Sequence, residues 1–387
     1  MSWPQVDLYE VCEINVGKTP SRHNELYWGS GQPWLSIRDM SQGLEIVDTK
    51  EQITDLAIKE SNIKIVTAGT VLFSFKLSIG KIGIAQKNIY TNEAIAALPI
   101  KDDTKLCKEY LVHALSRWEF GIKTHRAVMG ATLNKEKLQS LKIPLPPLKE
   151  QKRIAAILDK ADNLRRKRQQ AIQLADEFLR AVFLDMFGDP VTNPKGWEMK
   201  SLKEMAVVTT GNTPSRNEPD YYGDYIEWIK SDNINTPSNF LTTAKECLSK
   251  KGYEVGRHVS AGSTLITCIA GSFDCIGNAA FADRQVAFNQ QINALTPKQG
   301  INSWFLYALV IFSKKHIQAA STNSMKGMIS KGKMEVIQFI CPPESLQMKF
   351  EKAFSHCRDN REKMDESMFE INNTFSAINQ KAFSGQL

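Results

Sequence analysis

Two basic segments are the parts of this sequence best equipped for chemistry, and that chemistry is hydrogen bonding to a polyanion. Residues Arg117 to Lys137 hold Arg117, Lys123, His125, Arg126, Lys135 and Lys137 around Val128-Met129-Gly130-Ala131-Thr132. Residues Lys314 to Lys333 hold Lys314, Lys315, His316, Lys326, Lys331 and Lys333 around Thr322-Asn323-Ser324, with no acidic residue among them. Lysine and arginine beside glycine and small hydroxyl or amide residues suit close approach to a phosphodiester, and a solvated loop is the plain alternative. Lys76 and Lys81 flank Ser78-Ile79-Gly80, and Asn278, Gln290 and Gln291 stand in the related stretch further along. Amide side chains can bond adenine through two atoms, as arginine can guanine, and they equally often cap turns. Arg22 and Arg216 suit either a shared structural bond or a phosphate contact. The paired Trp34 and Trp228 read as core rather than as stacking platforms.

Groups for covalent or metal chemistry are scattered. The six histidines have no carboxylate or cysteine companion at a fixed spacing, and His23, His125 and His316 read as surface or polyanion-facing. Seven cysteines form no Cys-x-x-Cys pair; Cys268 and Cys275 are the closest, and reduced, mostly buried thiols are expected. Glu227-Trp228-Ile229-Lys230 after Pro219-Asp220 resembles a nuclease element, but its last spacing is one residue too long, so a surface loop entering a strand is expected. The sequence contains no Asn-Pro-Pro-Tyr or Asp-Pro-Pro-Tyr tetrapeptide, no Gly-Lys-Ser/Thr phosphate loop and no strand, glycine loop and helix arrangement for a nucleotide. No catalytic, cofactor or metal residues are therefore assigned.

At 42% hydrophobic and 24% charged residues, the 387 positions describe a soluble globular chain with room for two cores on which such groups could be mounted. A net charge of +7 and an isoelectric point near 8.9 agree with a polyanionic partner without demanding one. The apolar run from Trp304 to Phe312 is too short to cross a bilayer. The first residues lack the basic start and apolar stretch of a signal peptide, which makes a cytoplasmic location the expectation.

The chain is one unit written twice. Gly17-Lys18-Thr19-Pro20-Ser21-Arg22 returns as Gly211-Asn212-Thr213-Pro214-Ser215-Arg216. In order, Trp28-Gly29 matches Tyr222-Gly223, Trp34-Leu35 matches Trp228-Ile229, and Ala68-Gly69-Thr70 matches Ala261-Gly262-Ser263. Ile82-Gly83 is set against Ile276-Gly277, Asn92 to Ile95 against Asn289 to Ile292, and Pro146-Pro147 against Pro342-Pro343. Each copy opens with a mixed head, residues 1–147 and 188–343. Val71 to Phe75 and Thr264 to Ile269 read as buried strands, and helices are expected near Glu109 to Trp118 and Ser303 to Ile311.

Each head leads into a long helix, residues 148–187 and 344–387. Lys149 to Phe187 contains neither glycine nor proline before Gly188-Asp189-Pro190, and Glu344 to Phe383 contains neither before Ser384-Gly385. Ile154, Leu158, Ala161, Arg165, Arg168, Ile172, Ala175, Leu179, Val182 and Met186 step by four and three. Phe350, Phe354, Cys357, Arg361, Met364, Met368, Ile371, Phe375, Ile378 and Ala382 repeat that stepping. This is a heptad seam, apolar except near its middle. Ile157, Leu164, Ala171 and Phe178 are expected to broaden the first stripe, and Arg165-Arg166-Lys167-Arg168 to form a solvated face, with a stretch that follows a polyanionic partner as the alternative. The order head, helix, head, helix favours antiparallel pairing, since parallel pairing needs a return loop that is not present. The expected architecture is α+β: two pseudo-symmetric mixed α/β heads separated by two long antiparallel coiled-coil helices.

The run Ile143-Pro144-Leu145-Pro146-Pro147-Leu148-Lys149-Glu150-Gln151-Lys152-Arg153-Ile154 resembles the central region of the specificity subunits of type I restriction–modification enzymes. The Gly-x-Thr-Pro-Ser-Arg elements, the two-fold repeat and the closing Phe383-Ser384-Gly385-Gln386-Leu387 share that resemblance, which spans the chain. The second copy, Pro342-Pro343-Glu344-Ser345-Leu346-Gln347, lacks the Glu-Gln pair. The resemblance implies two target recognition domains that each read half of a bipartite DNA site, with helices that set the unread spacer. It implies two modification subunits that use S-adenosylmethionine to methylate adenine, and ATP- and Mg-dependent restriction subunits that translocate and cut. The chain itself would be a non-catalytic reader. Candidate DNA contacts are Arg22, Lys76, Lys81, Lys123, Arg126, Lys135, Arg216, Asn278, Gln290, Lys314, Lys315, Asn323, Lys326 and Lys331. A self-sufficient DNA-modifying or DNA-cutting enzyme, and a coiled-coil scaffold with protein-binding heads, are the alternative readings.

Overall fold

The computed structural model describes residues 3–76, 78–123, 133–321 and 327–387, with residues 117–123 and 362 described as backbone. Contacts group the chain into two compact units, residues 1–169 with 367–387 and residues 170–366. Each unit thus holds one head and half of each long helix.

In the first unit, Gln5–Asp7 pairs antiparallel with Lys142–Pro144, which ties the two ends of the head together. Its main sheet has five strands in the order Asn15–Val16, Ile95–Leu98, Val71–Ser74, Ile82–Ala85 and Glu45–Ile46. Two of its three inner strands, Val71–Ser74 and Ile95–Leu98, are buried at every position, which is why they read as unbroken apolar runs instead of alternating ones. A second sheet joins Glu51–Ile53, Trp28–Leu35 and Tyr90–Thr91, the last two parallel. The helix Lys108–Lys123 contributes buried Tyr110, Leu111 and Leu115 to the core.

The second unit repeats this plan. Met199–Ser201 pairs with Gln338–Ile340. Ala206–Thr210, Ile292–Pro297, Thr264–Thr267 and Ala279–Phe281 form one sheet in that order, and Ile226–Ile229 lies parallel to Val286–Phe288 in another. The helix Ser303–Phe312 is buried from Trp304 to Val310. The Thr264 segment ends at Thr267, and Ile269–Ala270 forms a separate strand paired with Gly327–Met328.

One alignment of the repeat changes. Gly80 donates its amide to the Ser74 carbonyl (2.9 Å) and Gly277 donates to that of Thr267 (3.0 Å), both at positive φ, 95° and 81°. Gly80 is therefore the counterpart of Gly277, and Lys81 the counterpart of Asn278. Ile82-Gly83 belongs with Ala279-Ala280 rather than with Ile276-Gly277, because those pairs hold the same register against the neighbouring strand. The second copy carries extra residues before the turn, which hides this in the sequence.

The long helices run unbroken over Leu148–Phe187 and Glu344–Ser384. Gly188 and Gly385 end them at φ of 78° and 76°, a left-handed conformation that glycine adopts without side-chain clash. Within the first unit, Ile154 and Leu158 are buried with Phe375, Ala382 and Phe383. There Arg153 donates to the Leu387 carbonyl (3.2 Å) and Arg165 lies 5.0 Å over the Phe375 ring, so the segments are antiparallel. Within the second unit, Phe183 and Phe187 lie 5.5 and 5.4 Å from Phe350. Burying each such ring stabilises the pairing by about 1.5–3 kcal/mol. Every residue of both predicted seams is buried or half-buried. Leu164 and Phe178 are instead 53% and 60% exposed, so the first stripe is narrower than the apolar spacing predicts. In the basic break, Arg165 and Arg166 both pair with Asp162 at 2.7 Å.

A buried glutamine joins each helix to its head. The Gln151 carboxamide accepts from the Cys107 amide (2.9 Å) and donates to the Lys105 and Pro146 carbonyls (2.7 and 2.8 Å). Gln347 accepts from the Asn302 amide (2.9 Å) and donates to the Pro342 carbonyl (2.8 Å). Both are fully buried, whereas Glu150 meets Arg153 near the surface. The glutamine is the half of the Glu-Gln pair that the fold uses, and it is the half the second copy keeps.

Candidate nucleic-acid interface

Three loops meet at one edge of each head because the strands feeding them end together. In the first head, Asn92 donates its amide to the Leu35 carbonyl (3.1 Å) and Phe75 donates to that of Ala94 (3.0 Å). In the second head, Asn289 donates to Ile229 (3.0 Å) and Cys268 to Gln291 (2.8 Å). The loops that follow Leu35, Ser74 and Thr91, and those that follow Ile229, Thr267 and Phe288, therefore share an edge.

Beside that edge, both heads carry the same cage. Arg22 lies 3.7 Å over the Trp28 ring and 5.0 Å over Trp34, and it forms an ion pair with Glu51. Arg216 lies 4.3 Å over Tyr222 and 5.2 Å over Trp228, and it meets Glu246 at 2.8 Å. Lys230 meets the same Glu246 carboxylate at 2.7 Å. The hydrogen bond from Arg22 holds the Glu51 carboxyl below the ordinary range, and Arg216 followed by Lys230 does so for Glu246. Both arginines thus make the structural bond that their matched positions suggested, although about half of each side chain remains exposed. Trp34 and Trp228 are core residues, at 1% and 3% exposure. Their indole nitrogens donate to the carbonyls of Lys18 (3.1 Å) and Asn212 (3.3 Å).

At the loop edge, the Lys81 ammonium donates to Ser41 Oγ (2.8 Å) and to the Ile37 carbonyl (3.2 Å). Its counterpart Asn278 donates to Asn235 Oδ1 (2.7 Å) and accepts from Lys314 Nζ (2.5 Å). Lys314 also bonds the Asp274 carbonyl at 2.6 Å, so the fold brings together two candidates that lie 36 positions apart. Gln290 accepts from the Thr213 hydroxyl, as Glu93 does from Thr19. Lys76 lies 5.4 Å from the Phe75 ring. Lys135 and Lys331 each open a short helix, Lys135–Gln139 and Lys331–Glu335, capped by Asn134 and Ser330. Lys135 is exposed, Lys331 meets Glu335 at 3.6 Å, and Lys315 is exposed. Arg126, Asn323, Lys326 and the side chain of Lys123 lie outside the described residues, as do His125 and the glycine-bearing segment beside it.

Tertiary structure supplies partners that spacing does not reveal. His113 Nε2 lies 2.8 Å from Asp159 Oδ1, joining a head helix to the central helix within the first unit. His316 bonds the Gln338 carbonyl at 3.2 Å. Glu227 accepts from the Ala244 amide (2.7 Å) and pairs with Arg284, which holds its carboxyl low. Glu227 and Lys230 have separate structural partners, so the nuclease-like run forms no joint site. Burial pushes the Cys12 and Cys268 thiols up to about 12, which disfavours the reactive thiolate at both, and all seven cysteines are free. Among the described residues no cluster of His, Cys, Asp or Glu could hold a metal ion, and no helix is long and apolar enough to cross a membrane.

A family model described as the type I restriction modification DNA specificity domain matches residues 2–174 and again 194–359, which covers both heads. The chain belongs to this family. It is a specificity subunit of type I restriction–modification systems, with two recognition domains in tandem. The specificity subunit of the type I restriction enzyme MjaIX from Methanocaldococcus jannaschii is 23% identical over 384 residues, covering 90% of this chain and 85% of that one. The crystal structure of a type I restriction–modification S subunit from M. genitalium shares the fold. It covers 98% of this chain and 96% of its own, with a TM-score of 0.59 and 15% identity. A chain from a study of complex assembly and conformational transition of the type I R-M system superposes over 100% of this one and 98% of its own, with a TM-score of 0.57 and 17% identity.

Proposed function

We propose that this specificity subunit performs no chemistry itself and reads a bipartite site on double-stranded DNA, one half with each head. The observation that carries this reading is a common frame with changed contents. The two heads share the cage, the glycine turn and the glutamine clamp, yet present different polar groups along the same loop edge. Lysines and arginines near that edge, among them Lys76, Lys81, Lys314 and Lys315, would supply the phosphate attraction that binds any sequence. The long helices would scaffold two modification subunits and set the number of unread base pairs, and restriction subunits would join that assembly. S-adenosylmethionine, ATP and Mg would belong to those partners.

The test is reconstitution. The purified chain is expected to transfer no methyl group and cut no DNA. With its modification partner it should direct methylation to one bipartite motif. Replacing residues 1–147 with another head should change one half of that motif alone. Methyl transfer or cleavage by the chain on its own would refute the division of labour.

A further inference from the structure

We infer that equivalent positions on the loop edge, Lys81 with Ser41 in the first head and Asn278 with Asn235 in the second, are base-reading pairs that make the half-sites differ. This rests on the reading of the chain as a DNA reader and assigns the residues that carry its specificity.

The argument begins with the duplication. Two heads built alike can read different bases only where they differ, and those differences must lie on exposed polar groups held in place by the shared frame. The frame repeats in its backbone hydrogen bonds, although Ser74 Oγ also accepts from the Lys81 amide (2.8 Å) while Thr267 Oγ1 has no partner among the described residues. Gly80 and Gly277 make the same turn, and the amides of Ser74 and Thr267 donate to the carbonyls of Lys81 (2.9 Å) and Asn278 (2.8 Å). The next loop brings Ser41 to Lys81 and, at the same offset in sequence as the Gly-x-Thr-Pro-Ser-Arg elements, Asn235 to Asn278. Within this fixed setting the chemistry changes. The first head presents an ammonium beside a hydroxyl. The second presents two carboxamides braced by Lys314.

The groups are also open to a ligand. Ser41 and Asn235 are exposed, and Lys81 and Asn278 are half-buried, with their polar ends bonded to those exposed groups. Asn278 bonds two side chains, Asn235 and Lys314, rather than a backbone amide of its own turn, so it is not acting as a cap. The Asn235 backbone amide bonds the Ser231 carbonyl (2.9 Å), whereas among the described residues its side-chain nitrogen donates to nothing. An ammonium only donates, which suits the O6 and N7 acceptors of guanine. A carboxamide donates and accepts, which suits the N6 and N7 edge of adenine. Glu93 and Gln290 differ in the same sense at the neighbouring loop, an acceptor alone against a donor and acceptor, each held by a threonine.

The experiment uses the chain assembled with its modification subunits. Lys81→Ala and Asn278→Ala would each be expressed with them, and methylated sites mapped against the wild-type motif. Each variant is expected to lower discrimination at one base position by roughly 10- to 100-fold, the worth of one good base contact. The relaxed position should lie in one half-site for Lys81→Ala and in the other for Asn278→Ala, with methylation at the original sites retained. Relaxation of any single position confined to the matching half-site supports the assignment. Unchanged discrimination overturns it. Loss of all methylation together with a lowered unfolding midpoint also overturns it, by assigning these side chains to the fold. If the wild-type complex methylates no bipartite motif, the reading of the chain as a DNA reader fails first, and this outcome is separate from a wild-type motif that both variants leave intact.

Discussion

Replacing Gln151 with alanine removes a carboxamide that is fully buried and makes three hydrogen bonds, to the Cys107 amide and to the carbonyls of Lys105 and Pro146. The orphaned amide carries most of the cost, because a buried donor without a partner loses about 1–3 kcal/mol and a carbonyl keeps a second lone pair for other contacts. Adding the weaker carbonyl terms gives a loss of about 3 kcal/mol. The unit concerned contains about 190 residues. At about 2 cal/mol/K of unfolding entropy per residue, such a unit loses roughly 8 °C of midpoint for that destabilisation. Differential scanning calorimetry of the purified chain is the assay. Gln151→Ala should lower the transition of the first unit, and Gln347→Ala should lower that of the second. Glu150→Ala, which removes only a surface contact to Arg153, should change the midpoint by less than about 1 °C. A shift below about 2 °C for Gln151→Ala, or an equal shift for Glu150→Ala, would refute the assignment of the glutamine as the clamp.

Further predictions follow from the helices and the charged pairs. Arg361 is 12% exposed at the seam and pairs with Asp176 and Asp365. Arg361→Leu is therefore expected to keep or raise stability in urea titration, because an apolar seam residue avoids the desolvation of a charge, while Arg361→Ala lowers it by about 1–2 kcal/mol. Glu51, Glu227 and Glu246 have carboxyls held below their ordinary range by arginine partners. Their contribution is complete above the ordinary carboxylate range, near pH 4, and falls away as pH drops through the lowered values. The unfolding midpoint should decline below about pH 4, and Glu227→Gln should make the second unit less acid-sensitive than the wild type. Inserting one heptad into both long helices adds about 10 Å to each. On the proposed reading it should lengthen the unread spacer by roughly three base pairs and leave both half-sites unchanged. A methylation map with altered half-sites and an unaltered spacer would rule out the helices as the ruler.

The duplication, the two long helices and their seams are legible without any structure. All three are written in local order: a repeat is visible as recurring words, and a helix as periodic apolar residues between a double proline and a glycine. The sequence also pointed to Arg22 and Arg216, because a matched position survives in both copies. What it left open depends on contacts between residues far apart in the chain. The hydroxyl of Ser41 and the carboxamide of Asn235 look like ordinary loop residues until the fold sets them beside Lys81 and Asn278. The match of Ile82-Gly83 to Ile276-Gly277 was inviting as a string, and only the register against the neighbouring strand shows that Gly80 is the partner of Gly277. Leu164 and Phe178 have apolar side chains at helical spacing, yet a helix pair covers a narrow stripe of each partner, and which residues fall outside it is decided by the crossing geometry. The division follows from range. Periodicity and repetition are properties of neighbours along the chain, whereas the loop edge is assembled from three loops that meet only after the sheets have formed.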